Sequence, residues 1–270
     1  PENPESIEKV ALSYVEAASR MILNNTFGAS RLMLDRHGLA DKAAAINRAG
    51  AEISCRAAKD KAYVFGSIGP TGKLLFTGEV GETELSEGFE EQATALAGGG
   101  VHGIVIETMS ELDEAKLALR AARKTGLPVV VSMVYDSGQE FDRTMMGTTP
   151  EEAAQQLKNE GADVIGANCG MGMEFILPVC KRLRAATDLP VWIKPNAGMP
   201  EYVDGKIMYN ITPAQFATYA VKVREAGANA GADLPIRIVE DPQAAEPLEA
   251  GAQTHHLLLW IHGDRLVAVE

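Results

Sequence analysis

The sequence has little cysteine: Cys55, Cys169 and Cys180 are the only three in 270 residues. They are too few and too scattered for a disulfide framework, which predicts reduced thiols. It also lacks any block of Lys and Arg, since 25 basic residues are scattered among 37 acidic ones for a formal charge of -12. That balance excludes a nucleic-acid backbone or an anionic membrane surface as the main partner. No run approaches the ~18 apolar residues of a membrane span. The opening Pro1-Glu2-Asn3-Pro4-Glu5 is polar and acidic, unlike a secretory signal. The expectation is a cytoplasmic protein with no membrane partner. No Gly-x-Gly-x-x-Gly follows the first readable strand, and Gly69-Pro70-Thr71-Gly72 is a poor phosphate cradle because proline withdraws a backbone N–H. Nucleotide binding is not supported.

What is present is a regular alternation. Short aliphatic runs predict strands at Met21 to Leu23, Ala62 to Gly66, Gly103 to Glu107, Val129 to Val134, Val164 to Ala167 and Val191 to Lys194. Between them lie helical patterns. In Ser110 to Thr125 the residues Leu112, Ala115, Leu119 and Ala122 recur at helical spacing, and Thr149-Pro150-Glu151-Glu152 is a helix start. Glycine-containing breaks at Gly126, Gly161 and Gly227 precede the next apolar run or motif. Unalternated apolar strands joined by helices mean a parallel sheet buried on both faces, so the class is α/β.

Polar and glycine-rich residues follow almost every strand: Asn24 to Gly28, Ser67 to Gly72, Glu107-Thr108-Met109, Tyr135 to Gly138, Asn168-Cys169-Gly170 and Pro195 to Gly198. Six such loops on one rim suit a (β/α)8 TIM-type barrel of roughly 250 residues, whereas an open sheet would concentrate them at one switch point. Only six βα units are readable, so the barrel is expected to be incomplete or rearranged at its first and last strands. Residues 1–233 are assigned to it. Residues 234–270 form a C-terminal β-rich segment, either barrel completion or appendage, ending in a hairpin that pairs Leu257 to Ile261 with Leu266 to Val269.

The candidate chemistry sits on the rim. Cys169 closes a buried strand where the chain turns outward, while Cys55 and Cys180 fall on helices and read as structural. Glu107 ends the apolar run Gly103-Ile104-Val105-Ile106, and a carboxylate there is costly to bury unless it meets a cation or donors. Lys194 either holds a substrate carboxylate or pairs with Glu107. Asn25, Asn168 and Asn196 are neutral amides able to bind both ends of a zwitterion or to cap turns. The adjacent pair His255-His256 reads as one surface and one core histidine.

Taken together, Asn25-Thr26-Phe27-Gly28-Ala29, Gly66 to Gly72, Ile106-Glu107-Thr108-Met109, Met145 to Glu152, Gly166-Ala167-Asn168-Cys169-Gly170, Lys194 to Pro200 and Glu225 to Asn229 resemble the homocysteine S-methyltransferase family, in the family's order. The resemblance implies a (β/α)8 barrel and methyl transfer to the thiol of homocysteine or a related thiol, forming methionine. It implies zinc held by three cysteine thiolates, with the substrate sulfur as fourth ligand; zinc keeps that sulfur as the attacking thiolate. Carried over by motif position, Cys169 is a zinc ligand and catalytic, Glu107 takes the substrate amino group, and Asn25, Thr26, Asn168 and Asn196 line the amino-acid pocket. The resemblance is closest to cobalamin-dependent members, which implies methylcobalamin from a separate domain or a corrinoid protein as methyl donor.

The sequence departs from the family at several points. The family continues an Ala-Asn pair into Gly-Gly-Cys-Cys-Gly, the source of the other two zinc ligands, but here Ala228-Asn229 runs into Ala230-Gly231-Ala232-Asp233. The family's first-strand Asp-Gly-Ala-Met-Gly motif has no counterpart, and Ala18 and Asn24 stand where the family carries Gly and Thr. Three readings stay open: Asp233, His255 or His256 replace the missing ligands; the chain is a catalytically inactive homologue that binds an amino acid or partner protein; or it is a corrinoid-linked methyltransferase with another substrate.

Overall fold

A computed structural model describes residues 3–196, 198, 200–203, 206–209, 211–229, 258–262 and 265–269. In chain order these form α1 (Pro4–Glu16), β1 (Met21–Leu23), α2 (Arg31–Asp35), a 3-10 turn (Ala40–Lys42), α3 (Ala43–Ala58), β2 (Tyr63–Ile68), α4 (Glu82–Gly98), β3 (Gly103–Met109) and α5 (Leu112–Arg123). There follow β4 (Val129–Met133), α6 (Pro150–Asn159), β5 (Val164–Cys169), α7 (Met173–Ala186), β6 (Val191–Pro195), β7 (Pro200–Val203), β8 (Lys206–Tyr209), α8 (Pro213–Glu225), β9 (Leu258–His262) and β10 (Arg265–Val269).

The strands β1 to β6 form one parallel sheet in sequence order. Each connection is a helix, and the helices pack in succession on the outer face, α1 on α3, α3 on α4, α4 on α5, α6 on α7 and α7 on α8. The sheet is curled. In a flat sheet, β3 and β6 would lie three strand spacings apart, about 14 Å, yet a side chain of each meets across the inner face at 2.5 Å. Six parallel strands of a barrel-like wall are therefore present among the described residues.

Local sequence explains the elements. In α5 the predicted stripe Leu112, Ala115, Leu119 and Ala122 is buried. Thr149 caps α6 through a reciprocal capping box with Glu152, with Pro150 at the first helical position. The predicted break at Gly161 adopts φ 88°, the left-handed geometry that ends a helix without a Cβ clash. Strand ends differ from the sequence expectation mainly at their C-termini: β2, β3, β5 and β6 each extend one or two residues further, through Ile68, Met109, Cys169 and Pro195. The extensions stay in register with neighbouring strands, Ile68 opposite Ile106, Met109 opposite Met133 and Cys169 opposite Pro195.

Two antiparallel pairs lie apart from the main sheet. Strands β7 and β8, which periodicity does not announce, pair Pro200 with Tyr209 and Val203 with Lys206. Strands β9 and β10 pair antiparallel with Trp260 opposite Val267. The expected strand Leu234 to Glu240, together with Asp233, His255 and His256, lies outside the described residues.

Candidate active site at the barrel mouth

The inner face of the sheet is built in two layers, because side chains two residues apart on a strand share a face. The lower layer is apolar: Met21, Phe65, Val105, Val130 and Trp192 form one buried cluster. One step further along the strands come Ser67, Glu107, Ser132, Asn168 and Lys194, all buried. Gly166 gives Trp192 its space, since a Cβ there would lie 2.8 Å from the Trp192 Cβ and 2.1 Å from its carbonyl oxygen. The polar layer thus sits at the C-terminal strand ends, where barrels carry their chemistry.

Two hydrogen-bonded groups make up this layer. In the first, the Lys194 Nζ donates to Glu107 Oε2 at 2.5 Å, and the Ser67 hydroxyl donates to Glu107 Oε1 at 2.6 Å. Both members of the ion pair are more than nine-tenths buried. Such a pair gains little net stability over an apolar pair, but removing one partner strands a buried charge at about 3–5 kcal/mol. In the second, Asn168 Oδ1 accepts from the Ser132 hydroxyl at 2.7 Å and from the Thr108 N–H at 2.8 Å. Its Nδ2 donates to Thr108 Oγ1 at 2.6 Å and to Cys169 Sγ at 3.3 Å. The Cys169 sulfur therefore faces a fixed N–H donor.

The backbone is strained where these groups meet. On β3 the register against β4 shifts between Ile106 and Met109, so one extra residue is accommodated there. Thr108 has φ 62° and Cys169 has φ 57°, both in the left-handed region, which is costly for residues with a Cβ and most of all for a β-branched one. Their side chains lie 3.7 Å apart. Two strained residues whose side chains meet across the end of β4, locked by one asparagine, are the kind of outlier that clusters at functional sites.

The structure brings Cys169, Glu107, Asn168 and Lys194 to this mouth. Asn196 is close by, donating from Nδ2 to the Gly170 carbonyl at 3.1 Å and so tying the loop after β6 to the loop after β5. Thr26 is buried, its hydroxyl shared between Ser67 O at 2.8 Å and Asn24 Oδ1 at 2.7 Å. Asn25 is not brought in: it is exposed, with its Oδ1 beside Gly50 on α3. The buried amide of that loop is Asn24, which accepts from the Ser67 N–H at 2.9 Å. Sequence reasoning passed over Ser132, although a serine inside Val129-Val130-Val131-Ser132-Met133 is the one polar residue of a buried strand. Behind Cys169 lies a cavity of about 10 Å³, room for one water, lined by Tyr135, Asn168, Met171 and Phe175. The Tyr135 hydroxyl is buried, without a hydrogen-bond partner, and burial pushes its ionisation far above the usual phenol range.

The three cysteines do not converge. Cys55 on α3 donates to the Gly100 carbonyl, and Cys180 on α7 donates to the Val223 carbonyl. Burial pushes the Cys180 thiol up to about 11 and raises that of Cys55. Among the described residues no group of three or more His, Cys, Asp or Glu is placed to hold a metal ion. Glu107 is already committed to Lys194 and Ser67. The described residues offer zinc a single thiol and do not fit a three-thiolate centre.

A curled parallel sheet with its polar layer at the C-terminal strand ends defines an α/β protein of the barrel-like class, its candidate site at the mouth. The profile of the family described as homocysteine S-methyltransferase matches residues 2–234. The chain belongs to that family. Methionine synthase from Mycobacterium leprae is 26% identical over 226 residues, covering 79% of this chain and 18% of that protein. Methionine synthase from Mycobacterium tuberculosis is 27% identical over 226 residues, with 79% and 19% covered. The chain thus spans about a fifth of the length of these relatives. Among solved structures, the metallated homocysteine methyltransferase MmuM from Escherichia coli superposes with a TM-score of 0.70 at 21% identity, over 84% of this chain and 79% of that one. That likeness shows the fold. No described helix is long and apolar enough to cross a membrane.

Proposed function

We propose that this chain binds homocysteine, or a closely related thiol amino acid, at the barrel mouth and presents its sulfur for S-methylation. The supporting observation is the buried Glu107–Lys194 pair beside the Asn168–Cys169 group. A zwitterionic amino acid offers an ammonium that Glu107 can take and a carboxylate that Lys194 can take, so the ligand replaces an internal ion pair without leaving a buried charge uncompensated. The homocysteine side chain then reaches toward the sulfur and amide cluster. In the transfer, the substrate sulfur forms the S–CH3 bond with its lone pair, the bond from methyl to donor breaks with its electron pair left on the donor, and the thiol proton passes to solvent. The donor reaches the mouth from outside the described residues, and methylcobalamin presented by a corrinoid domain or protein matches the methionine synthase relatives.

Zinc activation is the family's expected device, and residues outside the described ones would have to complete its ligands around Cys169. A second reading, an amino-acid-binding homologue without transfer activity, is favoured by the single thiol at the mouth. Calorimetric titration with L-homocysteine, paired with a methylation assay using methylcobalamin and a sulfonium donor, separates the two. Binding that is at least tenfold weaker in Glu107→Gln, with methionine formed, supports the proposal. Binding without methionine formation assigns the second reading. No binding by folded wild-type protein overturns both.

A further inference from the structure

The opposite end of the sheet carries a feature that methyl transfer does not use. At the N-terminal ends of β1, β2 and β3, a cleft of about 130 Å³ is lined by Arg20, Lys59, Asp60, Lys61, Tyr63 and His102. Three cationic residues and one acidic residue line it, on a molecule whose formal charge is -12. Among the described residues none of the three cations is in a salt bridge. Glu8, whose carboxylate also senses Lys59, is held by Arg56 through hydrogen bonds of 2.9 to 3.3 Å. The three cationic residues of the cleft thus outnumber its one acidic residue, Asp60.

The cleft is also shaped. His102 accepts the Val64 N–H at Nδ1 at 3.0 Å, while its own backbone N–H donates to the Val64 carbonyl at 2.7 Å. The first bond requires an unprotonated Nδ1, so in the neutral ring the proton sits on Nε2, a fixed donor. The ring stands edge-on to Tyr63, with centroids 5.4 Å apart at 86°. Arg20 is anchored through its carbonyl, which accepts from the Tyr63 N–H at 2.8 Å. Lys59, directly after α3, adopts φ 50° and ψ -124°, a backbone conformation that residues with a Cβ rarely take. It turns Lys59-Asp60-Lys61 sharply from the helix into β2.

We propose that this cleft binds a phosphoryl group. Three cations and a ring N–H supply more donors than a planar carboxylate uses and match the three exposed oxygens of a phosphate dianion. The cleft, about 130 Å³ against about 10 Å³ for the one-water cavity behind Cys169, has room for one such group. The same chemistry arises from free phosphate and from the phosphate of a larger molecule.

The test is calorimetric titration of the full chain at low ionic strength with inorganic phosphate and with ADP, following the His102 ring protons by NMR. The expected result is one site per chain, shifted His102 signals, and at least tenfold weaker binding in the double variant Lys59→Gln, Lys61→Gln. Both lysines are exposed, and circular dichroism checks that the variant folds. Equal affinity for the two probes assigns free phosphate, and at least tenfold tighter ADP assigns a phosphorylated ligand. No binding of either probe at millimolar concentration, or binding unchanged in the double variant, overturns the proposal.

Discussion

Ala18 ends α1 in a Schellman arrangement: the Ser19 N–H reaches the Tyr14 carbonyl, the Ala18 N–H reaches the Val15 carbonyl, and Ala18 itself takes φ 66°. That position ordinarily holds glycine, which carries no Cβ penalty in the left-handed region. Ala18→Gly is expected to stabilise the chain by about 1 kcal/mol, read as a higher urea midpoint with unchanged slope; a lower midpoint would contradict the cap assignment. The Asn24 Nδ2 is buried and has no hydrogen-bond partner among the described residues. The cysteines give a second prediction at this scale. Cys169 is half-exposed, whereas Cys180 is buried with its thiol pushed up to about 11. Iodoacetamide at pH 8 should label Cys169 first and leave Cys180 intact until unfolding, as peptide mass mapping would show. Labelling of Cys180 in the native chain would contradict its burial. Cys169, Glu107 and Asn168 were legible in sequence because polar residues closing apolar strands are conspicuous. Asn25 and Asn24 were not separable, since adjacent asparagines in a loop carry no period to say which one turns inward.

At the scale of elements, the sheet was readable because aliphatic runs and capped helices alternate, and the helix starts at Thr149 and Pro150 follow local chemistry. The extra residue in β3 was not readable, because a bulge depends on the partner strand's register rather than on composition. The short strands β7 and β8 carry no apolar run and so gave no signal. The loop between β2 and α4 is fastened by two buried carboxylates at the start of α5. Glu111 accepts the Leu75 and Phe76 N–H groups at 3.0 and 2.9 Å, and Glu114 accepts the Thr71 N–H at 2.8 Å and its hydroxyl at 2.7 Å. Desolvation raises the Glu114 carboxyl above its ordinary value, the Thr71 bonds oppose this, and the Glu111 charge adds to it. A folded value above the unfolded one means the native state holds the proton more firmly. The resulting stability is complete below the ordinary glutamate value and is lost as pH rises through the raised one. Wild type should therefore gain on Glu114→Gln as pH falls from 7 toward 4.5, measured by urea unfolding of both proteins at each pH. A difference that does not change with pH would remove the ionised carboxylate from the account.

At the scale of the whole molecule, the question is how the wall continues past β6. The Asn229 N–H donates to the Val191 carbonyl at 2.9 Å. The same step, from the residue at or just before a strand's start to the preceding strand, introduces β2 from Tyr63 to Arg20, β3 from His102 to Val64 and β5 from Asp163 to Val129. The Asn229 N–H thus makes the same kind of strand-entry bond, here to the start of β6. Sequence alone could not reach this, because a single backbone bond depends on where β6 lies and leaves no mark on composition or period. A parallel sheet left open at this edge would expose unpaired backbone groups along β6. If residues 234–270 belong to the barrel unit, deleting them should lower the thermal midpoint by several degrees and promote concentration-dependent association, read by calorimetry and light scattering. A truncated chain that melts like the full one and stays monodisperse would make the segment an appendage. The same pair of proteins bears on the metal: zinc content near one per chain in the full protein, lost on truncation as well as in Cys169→Ala, would place the remaining ligands in the deleted residues.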